Sequence, residues 1–224
     1  MLDLSRSQTV LGDLSPLKCA HVAVFGLGGV GGIAAEALVR GGIGELTIVD
    51  GDTVCESNIN RQIVALKHNV GCKKVDVMAD RLLSINPQLV LHKKDIFFLP
   101  DNASLFDFDS YHFVLDAIDT VTSKLALAEI LGDRLICCLG TGNRVDPTAF
   151  RVGDVFDTSY CPLAKVMRRE LKRRGINKLK VVYSTEQPKK TGERTPGSVS
   201  FVPPAAGLVM AGEVIKILLN KNAD

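Results

Sequence analysis

His21-Val22-Ala23-Val24-Phe25-Gly26-Leu27-Gly28-Gly29-Val30-Gly31 is the stretch on which the fold turns. A short apolar run enters a glycine-rich loop, and the loop opens into Ile33-Ala34-Ala35-Glu36-Ala37-Leu38-Val39-Arg40, whose apolar side chains recur at helical spacing. The order is strand, tight turn, helix. Leu46-Thr47-Ile48-Val49, ending at Asp50, adds a second strand and completes a βαβ unit of the length a right-handed parallel crossover needs. Glycines let the backbone approach a phosphate, and a helix N-terminus offers free N–H groups with partial positive charge. Gly26, Gly28, Gly29 and Gly31 are therefore expected to cradle a phosphate, with Asp50 accepting hydrogen bonds from ribose hydroxyls. On these features alone a nicotinamide-dependent dehydrogenase is the leading reading, and a redox or sensor protein binding a dinucleotide stays open.

Working outward, Val70 to Ile85 repeats apolar residues at helical intervals and stops at Asn86-Pro87, because the residue before proline avoids helical geometry. Leu89-Val90-Leu91-His92 reads as a third strand. Phe113 to Ala117 and Leu135 to Leu139 are continuous apolar runs, separated by a helical stretch from Ser123 to Leu131. Continuous rather than alternating apolarity predicts strands covered on both faces. The expectation is a Rossmann-like, doubly wound α/β fold: a mainly parallel sheet with helices on both faces. Past Gly140 come a basic helix from Pro162 to Arg174, with Gly175 just beyond its end, and a last strand from Lys180 to Ser184. Pro188 to Ser198 has almost no apolar residues and is predicted to be a mobile loop. The whole of 1–224 is expected to form one domain: a nucleotide-binding core over 1–150, extended by the basic helix, the mobile loop and a C-terminal helix over 151–224.

A chain of 224 residues with 46% hydrophobic content can bury one sizeable core. Its six cysteines are scattered without a C-x-x-C pair and follow a polar N-terminus, which predicts a reduced, cytoplasmic setting. The nearest approach to a membrane span, Phe201 to Leu219, contains Pro203, Pro204, Glu213 and Lys216. It is expected to be a buried or dimer-packed helix, with no membrane involved. The net charge of +2 conceals an asymmetry: Tyr160 to Arg194 holds eleven basic residues against three glutamates, so this segment carries +8 and the remainder −6. A basic patch on an acidic body is the footprint of a polyanionic partner, or else a solvated helix face.

What moves the balance away from hydride transfer is the segment Asp50-Gly51-Asp52-Thr53-Val54-Cys55-Glu56-Ser57-Asn58-Ile59-Asn60-Arg61-Gln62, followed by Lys74. Arg61 and Lys74 are residue types that stabilise charge developing on a transferring nucleotidyl group, and Asn60 can orient a phosphate oxygen. Asp116 and Asp119 fall at the carboxyl end of a predicted central strand, where ligands of open α/β sheets collect. A carboxylate there can hold Mg²⁺ beside a triphosphate, and Asp119 is the better placed. His21, His68, His92 and His112 show no metal-ligand spacing along the chain, so no chemistry is assigned to them.

The glycine loop, Asp50, Asn58-Ile59-Asn60-Arg61-Gln62, Lys74 and Asp119 together resemble the adenylation site of the E1-like superfamily, over nearly the whole chain. The resemblance implies that the loop, Asp50 with its neighbours Asp52, Asn58 and Gln62, and Lys74 hold ATP. It also implies that Asn60 and Arg61 contact the phosphates, that Asp119 binds Mg²⁺, and that Arg6 reaches into a partner subunit's site in a homodimer. Activators of ubiquitin-like sulfur carriers usually bear two C-x-x-C pairs, and this chain has neither. Gly142 to Thr148, Cys161 to Arg174, Val181 to Glu186 and the ending Pro196 to Pro204 resemble instead the tRNA threonylcarbamoyladenosine dehydratases. Membership implies that ATP activates the nucleoside's carboxylate as an acyl-adenylate and that the carbamoyl group closes on it, expelling AMP. Arg168, Arg169, Lys172, Arg173 and Arg174 then become the expected tRNA-backbone contacts. The family likeness leaves room for a monovalent Na⁺ or K⁺ ion and for a sulfur-transfer protein partner, although Ser200 stands where some relatives carry a cysteine. Adenylation of the C-terminus of a ubiquitin-like sulfur carrier is the second reading.

Overall fold

The computed structural model describes residues 2–220. Its frame is one seven-stranded sheet. In chain order the strands are β1 (His21–Phe25), β2 (Glu45–Val49), β3 (Val90–Lys94), β4 (Phe113–Asp116), β5 (Leu135–Cys138), β6 (Phe150–Asp154) and β7 (Lys180–Ser184). They lie side by side as β3-β2-β1-β4-β5-β7-β6, all parallel except β6, which pairs antiparallel with β7 at the edge.

Among the described residues seven α-helices accompany the sheet: α1 (Ser5–Leu11), α2 (Ser15–Lys18), α3 (Gly31–Gly41), α4 (Lys74–Ile85), α5 (Val121–Leu131), α6 (Pro162–Arg173) and α7 (Val202–Asn220). Successive strand residues point to opposite faces, so one strand feeds two cores. Val22 and Val24 of β1, with Leu46, Ile48 and Leu115, pack under α2, α3, α4 and α7. Ala23 and Phe25, with Val114, Leu135 and Cys137, pack under α5, α6 and the short turns that carry Phe98, Phe106 and Tyr111. Two covered faces explain why these strands are apolar without alternation, and the fold is the doubly wound α/β arrangement expected from the sequence.

By length and composition α7 could cross a bilayer, with a mean hydropathy of 1.6. Its buried residues, Val202, Ala206, Met210, Val214 and Leu218, recur at four-residue steps and lie in the same core as Ala34, Ala35 and Leu38 of α3. It is a core helix. Two elements depart from the sequence reading. β6 was unforeseen, being a partly exposed edge strand that contains Gly153. α4 starts at Lys74 rather than Val70, because Lys73 is extended and the residues before it form a separate turn, Lys67–Asn69.

Candidate active site

The strand order reverses between β1 and β4, the switch point at which open α/β sheets bind ligands beyond their carboxyl ends. Register makes that end a single platform: Phe25 is opposite both Val49 and Asp116, so Gly26, Asp50 and Ala117 begin their loops side by side. A cleft of about 740 Å³ opens there. The glycine loop forms its floor. Gly26 has φ +89°, and a Cβ on it would sit 2.8 Å from the Ala117 carbonyl oxygen. A Cβ on Gly31 would sit 1.8 Å from the Gly26 oxygen, so the loop closes over the start of α3 only with glycine at both places. Gly26, Gly28 and Gly29 line the cleft; Gly31 is buried beneath it.

Asp50 stands at the loop's flank, its carboxylate accepting the Leu27 N–H at 2.6 Å and the Asp52 N–H at 2.8 Å. Burial pushes this carboxyl above its ordinary range, while Lys74 and the two amides pull it back. Lys74 is itself buried, with Nζ 2.7 Å from Asp52 and 3.9 Å from Asp50. Its ammonium is thereby fixed between two carboxylates at the cleft wall. Arg61, half-buried in the cleft lining, bonds only locally, to the Ser57 carbonyl at 2.9 Å and the Asn60 side chain at 2.8 Å. Asn58 folds its own loop by accepting the Cys55 N–H, and its side chain lines the cleft. Gln62 is buried, and its Oε1 is the one buried side-chain oxygen or nitrogen without a hydrogen-bond partner among the described residues. Asp119 sits exposed at the lip, its carboxylate touched by the Thr120 hydroxyl at 3.4 Å.

Three placements differ from expectation. Asn60 lies outside the cleft lining; besides Arg61 it binds the Ser198 carbonyl at 3.1 Å, clasping the 188–198 segment to the Arg61 loop. That segment is held at its other side by Asn143, which accepts the Gly197 N–H at 2.6 Å and the Lys189 N–H at 2.7 Å. Pro196, Gly197 and Ser198 thus wall the cleft. Asp116, a candidate metal ligand, is wholly buried and paired with Lys124 at 3.1 Å, which removes it from any metal at the lip. Arg168 is turned inward onto the Thr158 carbonyl at 2.9 Å and the Val155 carbonyl, tying down the turn before α6 instead of facing outward. Arg169 and Arg173 are outward and more than 60% exposed; with Arg174 they ring Glu170, whose carboxyl the Arg169 hydrogen bond holds low. Lys172 is outward as well, lying over the Phe156 ring. Arg6, on α1, is exposed and not part of this chain's cleft.

Lys124 and Phe97 escaped the sequence reading. Lys124 donates to Asp116, the Cys138 carbonyl at 2.9 Å and the Cys137 thiol. Burial alone would discharge it, but the Asp116 carboxylate overrides that and holds it cationic. Through Asp116 Oδ1, which accepts the Ile118 N–H at 3.0 Å, the pair shapes the turn leading to Asp119. Burial pushes the Cys138 thiol up to about 12, leaving it without nucleophilic character. Phe97, 56% exposed beside Gly51, offers an aromatic face at the cleft wall.

Residues 7–224 match the model of the ThiF family. A tRNA threonylcarbamoyladenosine dehydratase of Bacillus subtilis is 38% identical over 96% of this chain and 94% of its own length. An enzyme of the same name from Escherichia coli is 45% identical over 68% of this chain and 58% of its own length. The crystal structure of the E. coli dehydratase TcdA in complex with ATP superposes with a TM-score of 0.90 at 36% identity, covering 98% of this chain and 95% of that one. Its complex with AMP gives 0.91 at 35% identity, over 98% and 94% of the two chains. The chain belongs to the ThiF family of E1-like enzymes, on the branch of the tRNA threonylcarbamoyladenosine dehydratases.

Proposed function

We infer that this chain uses ATP to dehydrate threonylcarbamoyladenosine in tRNA to its cyclic form, releasing AMP and pyrophosphate. The observation that carries the reading is the cleft itself: a glycine loop at the sheet's switch point, flanked by Lys74 and Arg61, in a chain that matches an ATP-bound dehydratase along almost its full length. A carboxylate oxygen of the nucleoside bonds to the α-phosphorus, and the bond to the β-phosphate oxygen breaks with loss of pyrophosphate. The neighbouring carbamoyl group then closes on the activated carbonyl, AMP leaves, and one water's worth of atoms is gone from the nucleoside. The ring closes within one molecule, so orientation supplies large effective molarity and no enzyme nucleophile is required.

Each residue's part follows from its place. The loop amides and the start of α3 meet phosphate. Lys74 and Arg61 neutralise charge that grows on the α-phosphate and on departing pyrophosphate. Asp50 accepts from ribose, and the unpartnered Gln62 Oε1 takes a donor when the cleft is filled, an acceptor otherwise costing about 1–3 kcal/mol. Asp119, exposed at the lip and paired with no cation among the described residues, fits a Mg²⁺ ion, which would screen the polyphosphate. The 188–198 segment carries Lys189, Lys190 and Arg194, and its end, Pro196 to Ser198, walls the cleft, which suits contact with an RNA backbone. α1 buries none of its residues in its own chain, which suits packing on a second copy that receives Arg6. Six cysteines without a disulfide among the described residues suit the cytoplasm.

Incubation with ATP, Mg²⁺ and tRNA carrying the modification, followed by nucleoside mass analysis, tests the reading. Loss of water from the nucleoside with AMP formation supports it, and an unchanged nucleoside alongside carrier-dependent pyrophosphate exchange would replace it with activation of a sulfur-carrier protein. For the homodimer, mixing inactive Arg6→Ala with inactive Arg61→Ala chains restores part of the activity if sites are shared between subunits, and none if they are not.

A further inference from the structure

The end of the sheet opposite the cleft carries a second cluster of chemically capable groups. His21, at the start of β1, is paired in register with Glu45 of β2; two residues on, Thr47 is paired with His92 of β3. Residues i and i+2 of a strand share a face, so His21, Glu45, Thr47 and His92 are brought together by backbone pairing although they are far apart in the chain. Their ligating atoms converge: His21 Nδ1 is 3.4 Å and His92 Nε2 is 2.8 Å from Glu45 Oε1, and all three lie within 4.8 Å of one another. Two ligands about 2.1 Å from a tetrahedral ion stand about 3.4 Å apart. The His21–Glu45 spacing is already that, and the His92–Glu45 spacing needs to open by about 0.6 Å.

The surroundings orient the ligands. His21 Nε2 is 2.8 Å from the buried Thr47 hydroxyl. In the tautomer that donates Nε2–H to Thr47, Nδ1 carries the lone pair a metal requires, with the outer hydrogen bond that metal-binding histidines generally make. The Tyr111 ring meets the His21 ring edge-on at 4.9 Å and holds its plane. His112 does not compete, because its Nδ1 accepts the His21 backbone N–H at 3.0 Å. Glu45 and His92 are 37% and 47% exposed, so the site is reachable and leaves a fourth position for water.

We propose that His21, Glu45 and His92 form a three-ligand site for Zn²⁺ that joins β1, β2 and β3. Two imidazoles and a carboxylate are a donor set suited to this ion. The site lies at the far end of five-residue strands, roughly 13–16 Å from the glycine loop, so it binds independently of ATP. The test is zinc titration of metal-free protein without ATP or Mg²⁺, with retained metal counted after gel filtration. Wild type is expected to hold one more zinc per chain than His92→Ala or Glu45→Gln, each variant losing at least about tenfold in affinity. Cyclisation activity of His92→Ala is expected to equal that of wild type. Zinc stoichiometry unchanged in both variants would overturn the proposal. So would thiolate charge-transfer bands in the Co²⁺-loaded protein, which would place the metal on cysteine; d–d bands without them support it.

Discussion

Replacing Lys124 by methionine tests the buried pair beneath the Asp119 turn. Both side chains of the Lys124–Asp116 pair have zero exposure, and methionine keeps nearly the length and volume of lysine while removing the charge. Asp116 would then be left in the interior without a cation, keeping only the Ile118 N–H and the weak Cys137 thiol as hydrogen-bond donors. Stranding one partner of a buried ion pair costs about 3–5 kcal/mol, a large fraction of the roughly 5–15 kcal/mol that holds a domain folded. For a chain of this size each kcal/mol moves the melting temperature by about 2–4 °C, so a fall of roughly 6–20 °C is expected. Adding Asp116→Asn removes the stranded charge, and the double variant is expected to recover much of the loss, since neutral replacement of a whole buried pair is often tolerated. Urea and thermal unfolding followed by circular dichroism read both. A single variant within about 1 kcal/mol of wild type, or a double variant no more stable than the single, would refute the assignment.

Arg61→Ala should lower turnover by about 10²–10³-fold, the usual cost of one donor to developing charge, and Asp119→Asn should lower turnover and raise the Mg²⁺ concentration needed for half-maximal rate. Neither belongs to a core, so melting temperatures should stay close to wild type. Arg169→Gln with Arg173→Gln should weaken tRNA binding and reduce its salt slope by about 1–2, since each phosphate left without its cation lowers the slope by roughly 0.7–0.9; an unchanged slope would put the RNA elsewhere. Burial raises the Glu36 carboxyl, but hydrogen bonds from Arg81 and Arg40 outweigh it and hold the group below its ordinary value of 4.5. A carboxyl depressed in the folded state contributes stability that is present above its unfolded value and lost as pH falls through the folded one. Acid unfolding below about pH 4.5 should therefore be shallower in Glu36→Gln, which melting curves across about pH 3–6 would check.

The parts legible in the sequence were those governed by local pattern. β1, the glycine loop, α3 and β2 announced themselves because apolar runs and helical spacing switch at glycines, and the doubly wound sheet followed from strands without alternation. α1 was not visible because it buries nothing, and periodicity reports only buried faces. β6 was missed because an edge strand needs little apolar content. Lys124 was illegible for a deeper reason: a lysine in a helix reads as solvated, and only β4 and β5 closing around it turn it into a core residue. Asn60 and Arg168 were read by residue type, whereas their partners, Ser198 and the Val155–Thr158 turn, are set by tertiary structure. The histidines show no metal-ligand spacing along the chain, and only the pairing of β1, β2 and β3 brings His21 and His92 together with Glu45.

The central claim, that the cleft adenylates a carboxylate on tRNA, is tested most directly with tRNA bearing threonylcarbamoyladenosine and ATP labelled at the α-phosphate. The account predicts labelled AMP formed one-for-one with a nucleoside lighter by one water, with both products falling together by about 10²–10³-fold in Arg61→Ala. Cyclised nucleoside without AMP, or AMP formed with the nucleoside unchanged, would contradict it.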